Sequence, residues 1–233
     1  MLDIATLSDN LDAAAKFFRV MNKVGINAEQ LMLPVNDKKA RDNLAAFLQA
    51  GCPTLPPPVF ERNEHGHIVL TIKGLDLTGG QEVERLLGAK YRVGDYAKSC
   101  LTSTKPDSYD AKHRLVAGQK YKIALVPHKE IKRDADRTTE ALQKLGTEKY
   151  GYGKPLAGVI PRIRESVSDK QMEKMGFWYI VALYDTIQDS GGNPRVLISD
   201  RGVDGSWVDS SWVKPGCKWG GNGASAFLVP ASA

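Results

Sequence analysis

The chain has 233 residues, and 32 Lys and Arg against 27 Asp and Glu give it a formal net charge of +5. Because the positive residues are scattered among acids, charge alone does not imply nucleic-acid binding. No apolar run approaches the ~20 residues of a membrane span and the N-terminus lacks a signal-peptide pattern, so we expect a soluble protein, cytoplasmic or carried on a virion.

Residues 1–52 are predicted to form a small helical unit. The first helix begins at Thr6 or Ser8, and the second spans about residues 37–50, each with apolar positions at helical spacing. We expect the two helices to pack together, because isolated helices of under ~15 residues are marginal in water. A DNA-binding helix-turn-helix is an alternative, although the second helix has a mixed-charge face. That face carries Asp37, Lys38, Lys39, Arg41 and Asp42.

Residues 53–117 are predicted to be a linker and a β-α segment. The proline-rich run 52–58 cannot continue a helix. Residues 67–72 are rich in β-branched side chains and predict a strand, and Thr78 with Gln81 forms a capping-box pattern that opens a short helix. The rest is predicted as a strand or loop at 91–101 and a loop at 103–112.

Residues 118–233 are predicted to form an α+β module with a twisted antiparallel sheet and two helices. A strand at 121–126 is followed by a helix capped by Asp136. Pro161 suits the first turn of a second short helix, and Ser168 with Gln171 forms another capping box.

The strands of this module follow its helices. Residues 177–184 are apolar on both faces and predict a central strand. The turn at 191–194 leads into 195–199, its hairpin partner. Short strands near Trp207 and at 226–229 complete the predicted sheet.

Two short motifs have both a functional and a plain interpretation. Gly151 to Lys154 resembles a phosphate-binding loop, but Pro155 stands where such a loop needs Ser or Thr, so a flexible turn is favoured. His65 and His67 beside Glu64 could bind a metal, but a turn before a strand explains them and no third ligand has a suitable spacing.

The acids and cysteines do not indicate a catalytic or metal site. Most of the acids stand where helix caps and turns favour Asp. These are Asp134, Asp136, Asp185, Asp189, Asp200, Asp204 and Asp209. Cys52, Cys100 and Cys217 are odd in number and far apart, which favours buried or bystander thiols. We expect no catalytic residue, cofactor or metal, although an enzyme with an unrecognised site is an alternative.

The tail from residue 193 onward has a different composition. Trp207, Trp212 and Trp219 stand among small polar residues, and rigid aromatics spaced in this way can present a contact surface at low entropic cost. We predict the tryptophans to be structural supports and the residues between them to contact a ligand. The predicted contact residues are Val208, Ser210, Ser211, Val213, Cys217, Gly220, Gly221 and Asn222. A plain glycine-rich surface loop is the alternative.

The second half of the chain resembles a known group of proteins. With its segments 150–156, 176–179 and 219–227, it is similar to uncharacterised proteins of reduced-genome microbes and their viruses. Their hypervariable C-terminal ends resemble the variable proteins of diversity-generating retroelements. The resemblance implies a C-type lectin-like fold whose first and last strands pair, here 122–126 with 226–229.

The resemblance also implies a function. In such systems template adenines are replaced, so an Asn codon can become many residue types but neither Trp nor Lys. This fits the three tryptophans, Lys214 and Lys218 as fixed residues beside variable contact positions. The chain lacks the cysteine pairs and the calcium and sugar motifs of animal C-type lectins, so neither ligand is expected.

The function implied by the resemblance is a noncatalytic protein that displays a diversified patch to a macromolecular ligand, most simply a protein. The N-terminal helices would then serve attachment or assembly. A nucleic-acid-associated protein that uses those helices is the alternative.

Overall fold

The computed structural model describes residues 36–40, 42, 60–202 and 204–230. The chain divides into two compact units, Met1–Pro57 and Pro58–Ala233. In the first unit, the Asp37 carboxylate accepts hydrogen bonds from the backbone amides of Lys39 (2.7 Å) and Ala40 (3.2 Å), as a helix-capping residue does. Most of the helical unit predicted at 1–52, including Arg41 and Cys52, lies outside the described residues, as does the proline run.

The second unit is an α+β structure built on one sheet. Its strands are β1 (Ile68–Lys73), β2 (Arg92–Val93), β3 (Lys120–Pro127), β4 (Tyr179–Ala182), β5 (Ile187–Gln188), β6 (Pro194–Gly202), β7 (Gly205–Trp212) and β8 (Gly223–Leu228). Its α-helices are α1 (Gly79–Gly88), α2 (Asp95–Leu101), α3 (Tyr109–Lys112), α4 (Thr139–Lys144), α5 (Val159–Ser166) and α6 (Asp169–Met175). Short 3-10 turns lie at His128–Glu130 and Asp134–Asp136, and the π-helical turn Leu145–Lys149 continues α4.

Within the described ranges the sheet has eight strands in the order β1-β3-β8-β4-β6-β7-β2, with β5 paired to β6. Most neighbours are antiparallel; β4 with β8 and β2 with β7 are parallel. The predicted pairing of 122–126 with 226–229 is confirmed, since Ile123 lies opposite Leu228 and Leu125 opposite Ala226. The predicted central strand is also found, because β4 lies between β8 and β6.

The segment 53–117 differs from the prediction of a linker and separate β-α piece. β1 and β2 both come from this segment, and both are strands of the same sheet as the rest. α2 occupies 95–101, where a strand or loop was predicted, and it buries Ala97, Cys100 and Leu101 at helical spacing.

Local capping explains where the helices begin. The predicted capping boxes are present, at Thr78 for α1 and Ser168 for α6. The prediction that Asp136 caps the next helix is wrong. Thr138 caps α4 by accepting a hydrogen bond from the Ala141 amide (3.2 Å), while Asp136 pairs with Arg133 at 3.0 Å.

Side chains on the strands alternate between two faces of the sheet. We call one the α5 face, where Ile123, Leu125, Ile180, Leu197 and Val208 are fully buried beneath α5 and its neighbours. On the opposite face, which we call the tail face, residues such as Phe227, Ala124 and Val126 pack against Tyr152.

A buried ion pair joins two helices over the α5 face. The Arg162 guanidinium of α5 pairs with the Glu82 carboxylate of α1, and Arg162 also lies 2.7 Å from Glu165. The Tyr109 hydroxyl donates to Glu82 (3.2 Å). Burial raises the pKa of Glu82, and the neighbouring guanidinium opposes that rise.

In the part of the chain that the structure describes, no helix is long and apolar enough to cross a bilayer.

Candidate ligand-binding surface

The β6–β7 hairpin sets the direction of each tail side chain. Ser199 lies opposite Val208, Leu197 opposite Ser210, and Val196 opposite Ser211. Because successive residues of a strand point to opposite faces, Val208 and Ser210 face α5, whereas Ser211 lies on the tail face.

Two of the predicted contact residues are therefore turned inward. Val208 is 0% exposed and belongs to the main core, so the prediction that it contacts a ligand is wrong. The Ser210 hydroxyl is also buried, with no hydrogen-bond partner among the described residues. The physical reason is that β7 lies between β6 and β2, and helices from earlier in the chain cover one of its two faces.

A groove of about 490 Å³ lies where the segment after β7 meets the start of α4. Two predicted contact residues, Val213 and Cys217, line this groove. The Val213 amide donates to the Pro194 carbonyl (3.0 Å), which holds the start of the segment against β6. The other lining residues are Thr138, Thr139, Glu140, Gln143, Thr186, Pro194, Lys214, Pro215 and Gly216.

Trp219 anchors the far side of this segment. Its indole Nε1 donates to the Thr139 hydroxyl (2.9 Å) and its backbone amide to the Arg137 carbonyl (2.9 Å). The side chain is only 8% exposed and packs against His128 and Tyr179. This position is compatible with the predicted support role.

His128 forms a second anchor under the tail. Its Nδ1 lies 3.1 Å from the Gly220 carbonyl and 3.2 Å from the Tyr179 hydroxyl, and its Nε2 lies 2.9 Å from the Ser225 hydroxyl. Burial lowers the pKa of His128 to about 4, so the ring is neutral at pH 7. Because a carbonyl only accepts, Nδ1 carries the proton and Nε2 accepts from Ser225.

The glycine-rich end of the tail is only partly open. Gly220 and Asn222 are exposed. Gly221 was predicted to be variable, but a Cβ there would lie 3.0 Å from the guanidinium carbon of Arg137. Arg137 is buried and donates to the Ile131 carbonyl (2.9 Å), so most side chains at position 221 would have to displace it.

Trp212 differs from the predicted support role. It is the last residue of β7 and is 39% exposed, with the Lys214 ammonium 3.3 Å from its ring centroid. The Arg195 guanidinium lies 5.6 Å from the same ring and 3.7 Å from the ring of Tyr96. Cations over aromatic faces attract electrostatically, so Trp212 presents an ordered aromatic surface to solvent.

Trp207 is half-buried at the other end of β7. Its Nε1 donates to the Asp204 carboxylate (3.0 Å), and the Arg92 guanidinium lies 5.4 Å from its ring. Arg92 also pairs with Asp204 at 2.7 Å. Trp207 thus holds the hairpin end against β2, which agrees with a supporting position.

The other motifs have partners within the protein. The His67 ring nitrogens lie 2.8 Å from Glu130 and 2.8 Å from the Tyr152 hydroxyl. Among residues 60–202 and 204–230, no group of three or more His, Cys, Asp or Glu is arranged to hold a metal ion. Burial raises the pKa of the Cys100 thiol to about 12, and Cys217 is half-buried.

Comparison with known proteins identifies no relative of this chain. Neither a protein-family model, nor a curated protein, nor a solved structure matches this chain. The function must therefore be argued from the geometry of the tail and its groove.

Proposed function

We propose that this chain is a noncatalytic ligand-binding protein that uses the surface formed by its tail to bind a protein. We also propose that residues 118–233 form a C-type lectin-like module and that the chain is a variable protein of a diversity-generating retroelement. The binding surface, called the tail surface below, comprises Ser211, Val213, Lys214, Cys217, Gly220 and Asn222, and Trp212 borders it from the other face of β7.

The observation that carries this proposal is that the segment after β7 is fixed at both ends while residues between the fixed points border a groove. Val213 is hydrogen-bonded to β6, and Trp219 and Gly220 are hydrogen-bonded to Thr139 and His128. A preorganised segment loses little conformational entropy when it binds, so its side chains can be exchanged without losing the binding geometry.

The chemistry of the tail surface favours a protein ligand. Trp and Arg are enriched among the residues that dominate protein interfaces, and the exposed Trp212 at the border of the tail surface has the Arg195 guanidinium 5.6 Å from its ring. Trp212 is not part of the groove lining, so the surface extends beyond the space that a small ligand would fill.

The topology supports the lectin-like module. β3 and β8 are the first and last strands of residues 118–233, and they are antiparallel neighbours. The helices α4, α5 and α6 lie between β3 and β4 in the chain, and the β6–β7 hairpin follows. The pairing of the first and last strands is what the resemblance implies, although the predicted module has two helices and three α-helices are found among its described residues.

The DNA beside the gene provides the first test. We expect a reverse-transcriptase gene and an imperfect repeat of the 3′ end of this gene that differs from it at adenines. The differences should fall at codons 211, 213, 217, 220 and 222, and should spare the inward-facing position 208. Absence of the repeat, or differences concentrated at buried codons, would contradict the retroelement proposal.

A display experiment tests ligand binding without reference to the gene's origin. In the full chain, Ser211, Val213, Cys217 and Asn222 are randomised together, and the library is selected against hen lysozyme as a model protein ligand. A matched library randomises four residues that are exposed on α1 and α6, Glu84, Lys170, Glu173 and Lys174. We expect binders from the tail library only. Equal enrichment from both libraries would mean that the tail has no special capacity to display contacts.

A further inference from the structure

Two cavities meet on the tail face near the start of β3. One, of about 650 Å³, includes Thr71 and Lys120 in its lining. The other, of about 450 Å³, includes Glu61 and Glu64. Because the two cavities share part of their lining, they form one continuous groove, which we call the lysine groove. The shared residues are Lys122, Val229 and Pro230.

One end of the lysine groove carries like charges on neighbouring strands. Lys73 of β1 lies directly opposite Lys120 of β3, and Thr71 lies opposite Lys122. Alternate residues of a strand share a face, so Lys120 and Lys122 stand on the same face roughly 7 Å apart along β3. Like charges that lie directly opposite destabilise a strand pair, so the pairing of β1 with β3 does not explain these lysines.

The three lysines have no acidic partner in the described part of the chain. Each is exposed, and among the described residues none lies within salt-bridge distance of Asp or Glu. Lysine on an edge strand can serve to prevent strand pairing, which would account for Lys73 on β1. It does not account for Lys120 and Lys122, because β3 lies between β1 and β8. This end of the groove is therefore complementary to an anionic group of another molecule.

The middle of the lysine groove is apolar. Tyr152 packs on the tail face over Ala124, and Gly153 is the next residue along to line the groove. Thr71 and Lys122 are exposed beyond this point, so the sheet has no cover there among the described residues. A partner that fills this opening removes apolar surface from water, which is favourable. The apolar lining residues are Val69, Leu228, Val229 and Pro230.

The other end of the groove is acidic. Glu61 and Glu64 are both exposed there, and the Glu64 carboxylate lies 3.6 Å from the His65 ring. The Glu61 carbonyl accepts from the Val69 amide (2.8 Å), which places Glu61 level with Val69 and four residues along the strands from Lys120. At ~3.4 Å per residue, the lysine end and the acidic end are about 14 Å apart.

We propose that the lysine groove binds an extended peptide segment of a partner protein, with acidic residues at one end, apolar residues in the middle and basic residues at the other end. The acidic side chains pair with the three lysines, and the basic side chains pair with Glu61 and Glu64. About four or five extended residues span the ~14 Å between the two ends. A nucleic acid or another polyanion would meet the two carboxylates, so the charge pattern favours a peptide.

This groove goes beyond the function proposed for the tail surface and does not depend on it. β1 and β3 lie at one end of the strand order, whereas β7 lies near the other end. The two surfaces can therefore be altered separately.

Fluorescence anisotropy of the full chain with labelled heptapeptides tests the proposal. The first probe is Glu-Glu-Val-Ile-Val-Lys-Lys, which has the proposed charge pattern. The second is Glu-Lys-Val-Ile-Val-Glu-Lys, which has the same composition but no net charge at either end. We expect the first probe to bind saturably and at least about tenfold more tightly than the second, a difference of 1.4 kcal/mol.

The main variant reverses the charge of the lysine end by combining Lys120→Glu with Lys122→Glu. We expect it to weaken binding of the first probe at least tenfold and to bind Lys-Lys-Val-Ile-Val-Lys-Lys more tightly than the natural chain does. Lys170→Glu with Lys174→Glu, at exposed positions of α6, is the matched control with the same change in net charge. It should bind the first probe within about twofold of the natural chain. If the main variant does not fold, Lys73→Glu takes its place.

Four outcomes would overturn the proposal. The first probe does not bind saturably, or it binds no more tightly than the second. The α6 variant loses as much affinity as the lysine-end variant, which would assign binding to overall charge. A twelve-residue oligothymidylate binds more tightly than the first probe and loses that affinity in the lysine-end variant, which would make the groove a nucleic-acid surface.

Discussion

The two faces of β7 differ in what holds them in place. On the α5 face, Val208 and Leu197 are buried beneath helices that come from several parts of the chain, and the Glu82–Arg162 pair is enclosed nearby. On the tail face, the segment after β7 is fixed by a few hydrogen bonds, above all those of Trp219 and His128.

This difference separates folding from recognition within one strand. A change on the α5 face leaves a void or an unpaired group that many neighbours cannot fill, because protein interiors are close-packed. A change at a tail-face position of β7, such as Ser211, replaces one partly exposed side chain by another. We therefore expect stability to depend on the first face and ligand choice on the second.

The largest effect is expected when the buried ion pair is broken. Arg162→Met leaves the Glu82 carboxylate without its cation in a buried site. Removing one partner of such a pair typically costs about 3–5 kcal/mol, and we expect a loss of that size in the free energy of unfolding, measured with urea.

The control for this prediction changes both partners. Arg162→Met together with Glu82→Gln removes the buried charge but keeps an acceptor for the Tyr109 hydroxyl. This double variant should recover much of the lost stability. A single variant that unfolds at the same urea concentration as the natural chain would show that the pair does not stabilise the α5 face.

A matched pair of substitutions on β7 compares its two faces directly. Val208→Asn buries an amide and removes apolar contacts, so we expect a loss of about 3–4 kcal/mol. Ser211→Asn, on the tail face, should change the unfolding free energy by no more than about 0.5 kcal/mol. Similar losses in the two variants, measured by urea unfolding, would mean that the tail face is as constrained as the core.

Features set by neighbouring residues could be predicted from the sequence. The capping boxes at Thr78 and Ser168 each depend on a side chain three residues away, and both are present. The alternation of side chains along β7 also follows from neighbouring residues alone. Which of its two faces is exposed to solvent does not, because that depends on helices that come earlier in the chain. For this reason the predicted contact set included both Val208 and Ser211.

The contacts that anchor the tail are long-range. His128 meets Gly220 and Ser225 across more than ninety positions of sequence, and no spacing pattern indicates such a pair. The sequence could therefore identify the tail as unusual, but it could not place its anchors.

Acidification should weaken the tail anchor at His128. Burial lowers its pKa to about 4 in the folded chain, whereas an unfolded histidine titrates near 6.5. The unfolded state therefore binds the proton first, so the stabilising contribution is complete above pH 6.5 and is lost between pH 6.5 and 4. At 1.36 kcal/mol per pKa unit, the loss approaches about 3 kcal/mol.

Urea unfolding at pH 7 and pH 4.5 measures this effect, and His128→Gln is the control. Burial also lowers the pKa of His113, so some loss in the same direction should persist in that variant. The fall in stability should nevertheless be clearly smaller in His128→Gln than in the natural chain. An equal fall in both would assign the pH dependence to other groups.

The smallest effect on stability, and the most specific to the tail, is expected from the tryptophans. Trp219→Phe removes the hydrogen bond to Thr139, a contribution of about 0.5–1.5 kcal/mol, and releases one fixed point of the segment. Trypsin should then cleave after Lys218 faster than in the natural chain; the bond after Lys214 precedes Pro215 and resists trypsin. Trp212→Phe is the matched control, because Trp212 is exposed and lies outside the lining of the groove. Its cleavage rate should stay near that of the natural chain, and a rate as high as that of Trp219→Phe would mean that Trp219 is not the anchor.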